Sequence, residues 1–230
     1  MAVDDLSAST QDYLKCIWTL SEWTTGPVST TALAERLGVR TSSASDGVKK
    51  LAEQGLVEHE SYGGITLTDA GRAHAVAMVR RHRLLETYLV EQLGYGWDEV
   101  HDEAEILEHA VSDRLVAAMD ERLGHPTADP HGDPIPAADG AAHLPDAVPL
   151  TRAEPGHARI ARISDDDPER LRFFASHGIT PDVVVTVASA GGASGVAGEP
   201  DDVGVGVAGT DVRLSPVDAA AVWVTQESGH

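Results

Sequence analysis

The chain has 230 residues, which suffices for one large domain or two to three small ones, and only 4% of them are aromatic, so leucine, valine and alanine must build its cores. Its single cysteine excludes a disulfide framework, and no apolar run approaches the length of a membrane span. The formal net charge of −20 argues against non-specific binding to nucleic acid, because phosphate groups repel such a field. We therefore expect a cytoplasmic protein with no membrane partner.

Hydrophobic periodicity predicts helices through the first half of the chain. The predicted ranges are 10–23, 30–37, a third helix from Thr41 or Ser42 to residue 54, a long helix at 70–92, and 97–123. Ser29 can cap the second helix, Gly38 ends it, and Gly55 ends the third. Residues 56–59 and 64–68 alternate apolar and polar side chains around a glycine pair, which predicts a β-hairpin.

Two short helices joined at a glycine and followed by a hairpin form a winged helix-turn-helix. The second of these helices begins with small hydroxyl side chains, which allow close approach of the backbone to DNA, and continues to lysines suited to phosphate contact. The candidate DNA-binding residues are Arg40, Thr41, Ser42, Ser43, Ser45, Asp46, Lys49 and Lys50. The alternative is that the module serves only in dimerisation or packing.

The pattern changes in the second half of the chain. Residues 125–149 hold six of the twelve prolines, which predicts a linker without regular structure, although 131–136 could form an ordered turn. Short β-type runs follow at 157–163, 183–187, 203–207 and 222–225, separated by glycine-rich segments. Strands this short predict a small barrel.

Side chains of the types that bind metal ions are concentrated in the last two helices predicted for the first half of the chain. Two imidazoles and two carboxylates fall on one face of the predicted helix, at His101, Glu105, Glu108 and His109. His82 and Glu86 form a further pair at helical spacing. An acidic helix face that is simply solvated is the alternative, but the interleaved histidines favour a site for a divalent transition metal.

These motifs resemble the diphtheria-toxin-repressor-like family of metal-dependent transcriptional regulators, and within it the manganese-responsive members. The resemblance covers nearly the whole chain. Its most specific pieces are STQDYL at 9–14, HRLLE at 82–86, VHDEAEILEHAVSD at 100–113 and the turn GDPIP at 132–136.

The resemblance implies two metal sites. The primary site would use Asp12, Glu105, Glu108 and His109. An ancillary site would use His82, Glu86 and His101, completed by acidic residues of the C-terminal domain, for which the candidates are Asp166 and Glu169.

Two positions at which this sequence differs from other members of the family bear on which metal it binds. Iron-responsive members carry a methionine and a cysteine at the positions matching Asp12 and Glu105, and sulfur favours later transition metals, whereas carboxylate and imidazole suit Mn²⁺. Lys15 stands where some manganese-type members place another carboxylate, which favours two separated sites over a two-metal cluster. We expect Mn²⁺ as cofactor, with Fe²⁺ or Co²⁺ as substitutes, at about two sites per protomer.

The predicted fold is mainly α with a small β domain. Its expected parts are a winged helix-turn-helix DNA-binding domain at 1–74, a helical dimerisation and metal-binding domain at 75–124, the Pro-rich linker at 125–149 and an SH3-like C-terminal β-barrel at 150–230.

We expect a homodimeric, Mn²⁺-activated repressor that binds a double-stranded DNA operator and controls manganese homeostasis. The alternatives are an iron-responsive repressor of the same family and a helix-turn-helix regulator that senses a small organic ligand. A metalloenzyme is disfavoured, because the sequence has no His-Glu-x-x-His motif and no evident nucleophile.

Overall fold

The computed structural model describes residues 6–23, 26–59, 64–137, 140–141, 143–188 and 202–227. The helices there are α1 Ala8–Glu22, α2 Thr30–Arg36, α3 Thr41–Glu53, α4 Asp69–Leu93, α5 Val100–Leu107, α6 Asp113–Leu123, α7 Pro168–Ser176 and α8 Pro216–Ala220. The strands are β1 Val57–His59, β2 Ile65–Leu67, β3 Val148–Pro149, β4 Gly156–Ile163, β5 Val184–Val187, β6 Val203–Val207, β7 Thr210–Leu214 and β8 Val222–Gln226. None of the described helices is long and apolar enough to cross a membrane.

The chain divides into two compact units. The first comprises Met1–Leu85, Glu105–Ala118 and Ile135–Ala142, and the second comprises Glu86–Ala104, Met119–Pro134 and His143–His230. The helices α4, α5 and α6 therefore each contribute residues to both units, whereas the four domains expected from the sequence were continuous stretches. Those four boundaries stay predictions.

The first unit contains the predicted winged helix-turn-helix. The side chain of Ser29 accepts a hydrogen bond from the backbone nitrogen of Ala32 and so begins α2, as the sequence predicted. Gly38, with a φ of +64°, turns the chain toward α3 in a conformation that favours glycine. β1 and β2 pair antiparallel with Val57 opposite Leu67. The core of this unit includes Leu14, Ile17, Leu33, Val48, Leu51, Leu56, Ile65 and Val79.

The single helix predicted at 97–123 is wrong, because the structure has two helices there. α5 ends at Leu107, and the backbone nitrogens of Ala110 and Val111 both donate to the carbonyl of Leu107 in the turn that follows. The side chain of Ser112 then accepts from the backbone nitrogen of Leu115 and caps α6. Glu108 and His109 therefore lie in a turn rather than on a helix face.

The second unit is built on a six-stranded antiparallel sheet with strand order β3-β8-β4-β5-β6-β7. It agrees with the predicted small β domain, and four strands lie within a residue or two of the predicted ranges. β7 was missed; it pairs with β6 across the tight turn Ala208-Gly209, where both residues have positive φ. α7 was also missed, although Asp167 caps it and a proline occupies its first turn.

Part of the Pro-rich segment is ordered and buried. The Oδ1 atom of Asp129 accepts hydrogen bonds from the backbone nitrogens of His131, at 2.8 Å, and Asp133, at 3.0 Å. Gly132 has a φ of +89°, and a Cβ there would lie 2.2 Å from the carbonyl oxygen of Ala161, so only glycine fits. The ordered turn predicted at 131–136 is present, and it holds His131 fully buried.

Candidate metal centres

A group of six residues in the first unit contains every residue of the predicted primary site. We call it the first cluster, and its members are Asp12, Lys15, His82, Glu105, Glu108 and His109. α1 supplies two of them, α4 one, and the end of α5 with its following turn the other three. The elements are distant in sequence, so only tertiary packing brings these side chains together.

Asp12 and His109 form one side of the first cluster. The Nε2 atom of His109 lies 3.0 Å from Oδ1 of Asp12 and 3.7 Å from Oε1 of Glu108. Gln11 was not predicted as a site residue, yet its buried Oε1 atom accepts from Nδ1 of His109 at 2.7 Å. This bond fixes the imidazole so that Nε2 faces Asp12, as a neighbour of a metal-binding histidine does. Burial raises the pKa of the Asp12 carboxyl, and His109 partly offsets this.

Glu108 lies at the centre of the first cluster. Its side chain is fully buried, with Oε2 2.6 Å from Nδ1 of His82 and Oε1 2.6 Å from Nζ of Lys15. Burial alone would raise the pKa of this carboxyl, but His82 and Lys15 outweigh burial and hold the pKa below its ordinary value. Glu108 is therefore a carboxylate, the form that binds metal ions.

Lys15 contacts both glutamates of the first cluster. Its Nζ atom lies 2.6 Å from Oε1 of Glu105 as well as 2.6 Å from Oε1 of Glu108. Burial lowers the pKa of a lysine, but the two carboxylates outweigh burial and the pKa of Lys15 is raised. A positively charged protein group thus lies among the candidate metal ligands.

Acidic and imidazole groups of the second unit form what we call the second cluster, which consists of Glu86, His101, Asp129, His131 and Asp165. The Nδ1 atom of His101 lies 2.8 Å from Oδ2 of Asp165 and 3.2 Å from Oε1 of Glu86. Burial opposes the charge on His101, but hydrogen bonds to Asp165 and Glu86 outweigh it and raise the pKa of His101 to about 11. Metal binding at this nitrogen therefore requires release of a proton.

The C-terminal ligands proposed from the sequence lie elsewhere. Asp166 is exposed and pairs with Arg170 at 2.9 Å, and Glu169 is exposed on the first turn of α7. The structure brings Asp165, rather than either of these, to His101. The three residues lie within five positions of each other, and only the direction of the chain between β4 and α7 selects among them.

His131 was not predicted as a site residue. Its Nε2 atom donates to the carbonyl of Trp97 at 2.7 Å, and its Nδ1 atom lies 3.9 Å from Oε2 of Glu86. Nδ1 is buried and has no hydrogen-bond partner among the described residues. Glu86, Asp129 and His131 are all buried and offer atoms within 4.8 Å of one another. A histidine flanked by two aspartates in a tight turn was the available sequence signal.

The donor atoms of both clusters fit a divalent transition metal. They are carboxylate oxygens and imidazole nitrogens without sulfur, a set that suits a hard ion such as Mn²⁺. Cys16 is buried among apolar residues, as the sequence predicted, and burial raises the pKa of its thiol to about 11. It is therefore a packing residue and not a metal ligand.

α3 presents a polar face to solvent. All eight residues proposed to contact DNA are exposed, and they are Arg40, Thr41, Ser42, Ser43, Ser45, Asp46, Lys49 and Lys50. The opposite face is buried through Ala44, Val48 and Leu51, which anchor the helix in the core. This arrangement leaves the hydroxyl and ammonium groups available for a DNA groove.

Comparison with known proteins matches three regions of the chain to known domain families. Residues 5–65 match the family described as iron dependent repressor, N-terminal DNA binding domain, and residues 68–137 match iron dependent repressor, metal binding and dimerisation domain. Residues 148–226 match the FeoA domain. The iron-dependent repressor IdeR of Mycobacterium leprae (strain TN) is 32% identical over 198 residues, which is 80% of this chain and 86% of that protein. The chain belongs to the iron-dependent repressor family.

Other members of the family are similar over most of their length. The diphtheria toxin repressor of Corynebacterium diphtheriae is 34% identical over 169 residues, 70% of this chain and 74% of that protein. The solved structure of a manganese-dependent transcriptional repressor in complex with manganese is 52% identical in sequence. The match covers 95% of this chain and 100% of that chain, with a TM-score of 0.85.

Family membership confirms the resemblance stated from the sequence. The protein is a metal-dependent transcriptional repressor that binds DNA and carries a dimerisation domain, and it is not an enzyme. Its architecture also agrees with the prediction of a helical DNA-binding domain, a helical dimerisation domain and a small SH3-like β domain. The metalloenzyme alternative and the sensor of a small organic ligand are thereby excluded.

Proposed function

We propose that the protein is a Mn²⁺-activated repressor that controls manganese homeostasis. The observation that carries this proposal is the first cluster, in which Asp12 and Glu105 offer carboxylate oxygens. Sulfur ligands at these two positions would favour later transition metals. The manganese-dependent repressor of known structure, at 52% identity, supports the same metal. Relatives named iron-dependent are less similar, at 32% for the Mycobacterium leprae protein, and make Fe²⁺ the alternative.

The residues that would hold the metal follow from the two clusters. In the first cluster they are Asp12, Glu105, Glu108 and His109, with His82 on the opposite oxygen of Glu108. In the second cluster they are Glu86, His101 and Asp165, together with Asp129 and His131. A divalent cation supplies, when bound, the positive charge that holds mutually repelling carboxylates in one place. About two sites per protomer remain our proposal.

α1 connects the first cluster to the DNA-binding surface. Asp12 lies on the polar side of α1, while Leu14 and Ile17 of the same helix belong to the core that contains Val48 and Leu51 of α3. A change in the position of α1 is therefore transmitted to α3, because a close-packed core resists deformation.

The far end of α1 is anchored independently of metal. Glu22 accepts two hydrogen bonds from Arg83 of α4, at 2.9 and 2.5 Å, and the pair is buried. Since this end is fixed by a bidentate pair, metal ligation would act on the end that carries Asp12, in addition to the ion pairs that Lys15 makes there with Glu105 and Glu108. Activation requires that metal bind the DNA-competent position more tightly than the others.

A repressor of this design meets its operator as a two-fold dimer in the cytoplasm. Two copies of α3 would then read major-groove half-sites about 34 Å apart or a multiple of that distance. The binding surface consists of the eight exposed residues of α3 and its N-cap described above.

Metal dependence of operator binding tests the proposed function. We expect wild-type protein to bind its operator in the presence of Mn²⁺ and to lose binding when a chelator removes the ion. The double variant Asp12→Met and Glu105→Cys is expected to change the order of activation toward Fe²⁺ or Co²⁺, because thioether and thiolate gain most with later metals. The measurement is operator binding by fluorescence anisotropy under anaerobic conditions, titrated with each ion.

The readout must be activation at saturating metal, because later metals bind more tightly than Mn²⁺ in most sites irrespective of activation. Exposed Asp102 on α5 provides a control, since Asp102→Met adds a thioether outside either cluster. An unchanged order of activation in the double variant would contradict the manganese assignment.

Exposed apolar residues of α5 and α6 provide a test of dimerisation. Ile106 is 71% exposed and Leu115 is 48% exposed, whereas Leu84, Leu85 and Leu89 of α4 are buried within one chain. Burial of a large apolar side chain contributes about 1.5–3 kcal/mol, so Ile106→Lys is expected to weaken the dimer at least about tenfold. Sedimentation equilibrium measures this change.

Val217 on α8 offers a matched control, because it is 66% exposed and lies outside the region that matches the dimerisation domain. Val217→Lys should leave the dimer unchanged. An equal effect of both variants, or none of Ile106→Lys, would show that the interface lies elsewhere.

A further inference from the structure

A direct contact joins α1 to the helix proposed to read DNA. Tyr13, the residue after Asp12, lies against α3, and its hydroxyl donates a hydrogen bond to the carbonyl of Ser43 at 3.2 Å. We propose that Tyr13 is a positioning residue, which passes the position that metal sets on α1 to the first turn of α3. The inference rests on the proposed function and specifies which residue connects its metal site to its DNA-binding surface.

α3 has a recess for the ring of Tyr13. The recess exists because position 47 is glycine: a Cβ on Gly47 would lie 2.5 Å from Cζ and 2.8 Å from the hydroxyl oxygen of Tyr13, separations that side-chain carbons in proteins do not adopt. Glycine is less favourable than alanine in the interior of a helix, so a packing requirement accounts for it here. Since the end of a side chain is the movable partner, a Cβ at this position would displace the ring rather than disrupt α3.

The hydrogen bond of Tyr13 is made at the same place. Ser43 and Gly47 lie one turn apart on one face of α3, so the ring covers the glycine while the hydroxyl reaches the carbonyl. Burial raises the pKa of the Tyr13 hydroxyl, and Cys16 and Asp46 raise it further. The hydroxyl therefore stays protonated and can donate.

The metal ligand and the contact to α3 are adjacent residues of one helix. Consecutive side chains of an α-helix are about 100° apart, so Asp12 reaches His109 of the first cluster while Tyr13 reaches α3. A shift or rotation of α1 that brings Asp12 to a metal ion moves Tyr13 with it, because no flexible segment separates them. The carbonyl that Tyr13 holds belongs to Ser43, which is one of the exposed residues proposed to contact DNA.

The apolar core between α1 and α3 has a different effect. Its residues from α3 include Val48 and Leu51, in the second half of that helix. Apolar burial is also non-directional, whereas a hydrogen bond from a seated ring fixes both the distance and the rotation of the first turn. The core therefore holds the two helices together, and Tyr13 sets the orientation of the residues that face DNA.

Two variants test this inference. Tyr13→Phe removes the hydroxyl and keeps the ring, whereas Gly47→Ala keeps the hydroxyl and displaces the ring. The measured quantity is the coupling ratio of the full-length protein, which is the operator dissociation constant in chelator divided by that at saturating Mn²⁺, each from fluorescence anisotropy. We expect the ratio to fall about two- to tenfold in Tyr13→Phe, as the loss of one hydrogen bond predicts, and at least as much in Gly47→Ala.

A merely structural contact would change a different quantity. A less stable α3 would weaken operator binding by the same factor with and without Mn²⁺ and leave the coupling ratio unchanged. The reverse measurement provides a second readout, because operator DNA must tighten Mn²⁺ binding by the same factor as Mn²⁺ tightens operator binding. The Mn²⁺ affinity of the DNA-free protein should keep its wild-type value, since neither variant removes a candidate metal ligand.

A double variant tests the recess. In the wild-type background, Gly47→Ala is expected to lower the urea midpoint of unfolding, because the ring must leave α3. In a Tyr13→Ala background the same substitution should raise the midpoint, because alanine is the better helix former and the ring that filled the recess is gone. Tyr95→Phe is the matched control for the hydroxyl, since Tyr95 follows α4 in the second unit, and it should keep the wild-type coupling ratio.

The outcomes separate this inference from the proposed function. A wild-type coupling ratio in folded Tyr13→Phe or Gly47→Ala, whether or not operator binding weakens overall, overturns the role of Tyr13 while metal-dependent repression stands. A destabilising effect of Gly47→Ala in both backgrounds overturns the recess in the same way. A coupling ratio of one in wild-type protein contradicts the proposed function, and the inference with it. A reduced ratio in both variants, with unchanged Mn²⁺ affinity in the absence of DNA, supports both.

Discussion

The Asp12→Ala variant is expected to lose Mn²⁺-dependent operator binding while it remains a folded dimer. Asp12 is the carboxylate that α1 contributes to the first cluster, 3.0 Å from Nε2 of His109. Without it, a metal ion bound by Glu108 and His109 would have no carboxylate ligand on α1 and would not set the position of that helix. Changes in groups that only support a metal ligand already cost 10- to 100-fold, so loss of the ligand should weaken operator binding at least about 100-fold.

Fluorescence anisotropy with saturating Mn²⁺ measures the loss, and sedimentation confirms the dimer. Asp102→Ala is the matched control, because it removes an exposed carboxylate of α5 that belongs to neither cluster. Retention of wild-type, Mn²⁺-dependent binding by Asp12→Ala would mean that metal reaches α3 by another route, and that the α1 mechanism is wrong.

The Glu108→Gln variant is expected to have the largest effect on both metal binding and stability. Glu108 belongs to both groups of candidate metal ligands in the first cluster, one with Asp12 and His109 and one with His82 and Glu105, so its loss would affect each of them. It is also the buried partner of Lys15 and His82, both at 2.6 Å. Breaking a buried ion pair leaves an uncompensated charge, which lowers the free energy of unfolding by about 3–5 kcal/mol.

Urea unfolding in the presence of chelator measures the stability change, and dialysis measures the lost Mn²⁺. Glu121→Gln, at an exposed position of α6, makes the same chemical change without a buried partner and should alter the free energy of unfolding by less than about 0.5 kcal/mol. If Glu108→Gln were as stable as wild type and bound the same amount of Mn²⁺, neither the buried pair nor the shared ligand would have the role assigned here.

Local signals in the sequence determined the DNA-binding part of this protein. Ser29 and Gly38 mark the ends of α2 by hydrogen-bond and backbone preferences that act within a few residues. The alternation of apolar and polar residues that predicted β1 and β2 also acts within a few residues. The ligand types were also readable, because carboxylates and imidazoles at helical spacing are unusual in a solvated helix, and Asp12, Glu105, Glu108 and His109 do come together. The resemblance to the family's motifs also predicted the order and type of the domains.

The hydrophobic periodicity did not predict the break between α5 and α6, where Ser112 caps a new helix. The helical pattern at 97–123 continues through the turn that holds Glu108 and His109, whereas the hydroxyl of Ser112 caps a new helix, α6, within that range. The side chains still converge, because the turn places Glu108 against His82 and His109 against Asp12. The side chains predicted to form the primary site are thus brought together although the local geometry predicted for two of them was incorrect.

Only the tertiary structure decided which charged groups meet. Lys15 reaches Glu105 and Glu108 across 90 and 93 positions of sequence, and no local pattern encodes that distance. Asp165 rather than Asp166 or Glu169 reaches His101 because of the direction in which the chain leaves β4. Such contacts depend on how whole elements pack, and packing is set by the sum of many weak contacts, whereas caps, turns and periodicity are set by neighbours in the chain.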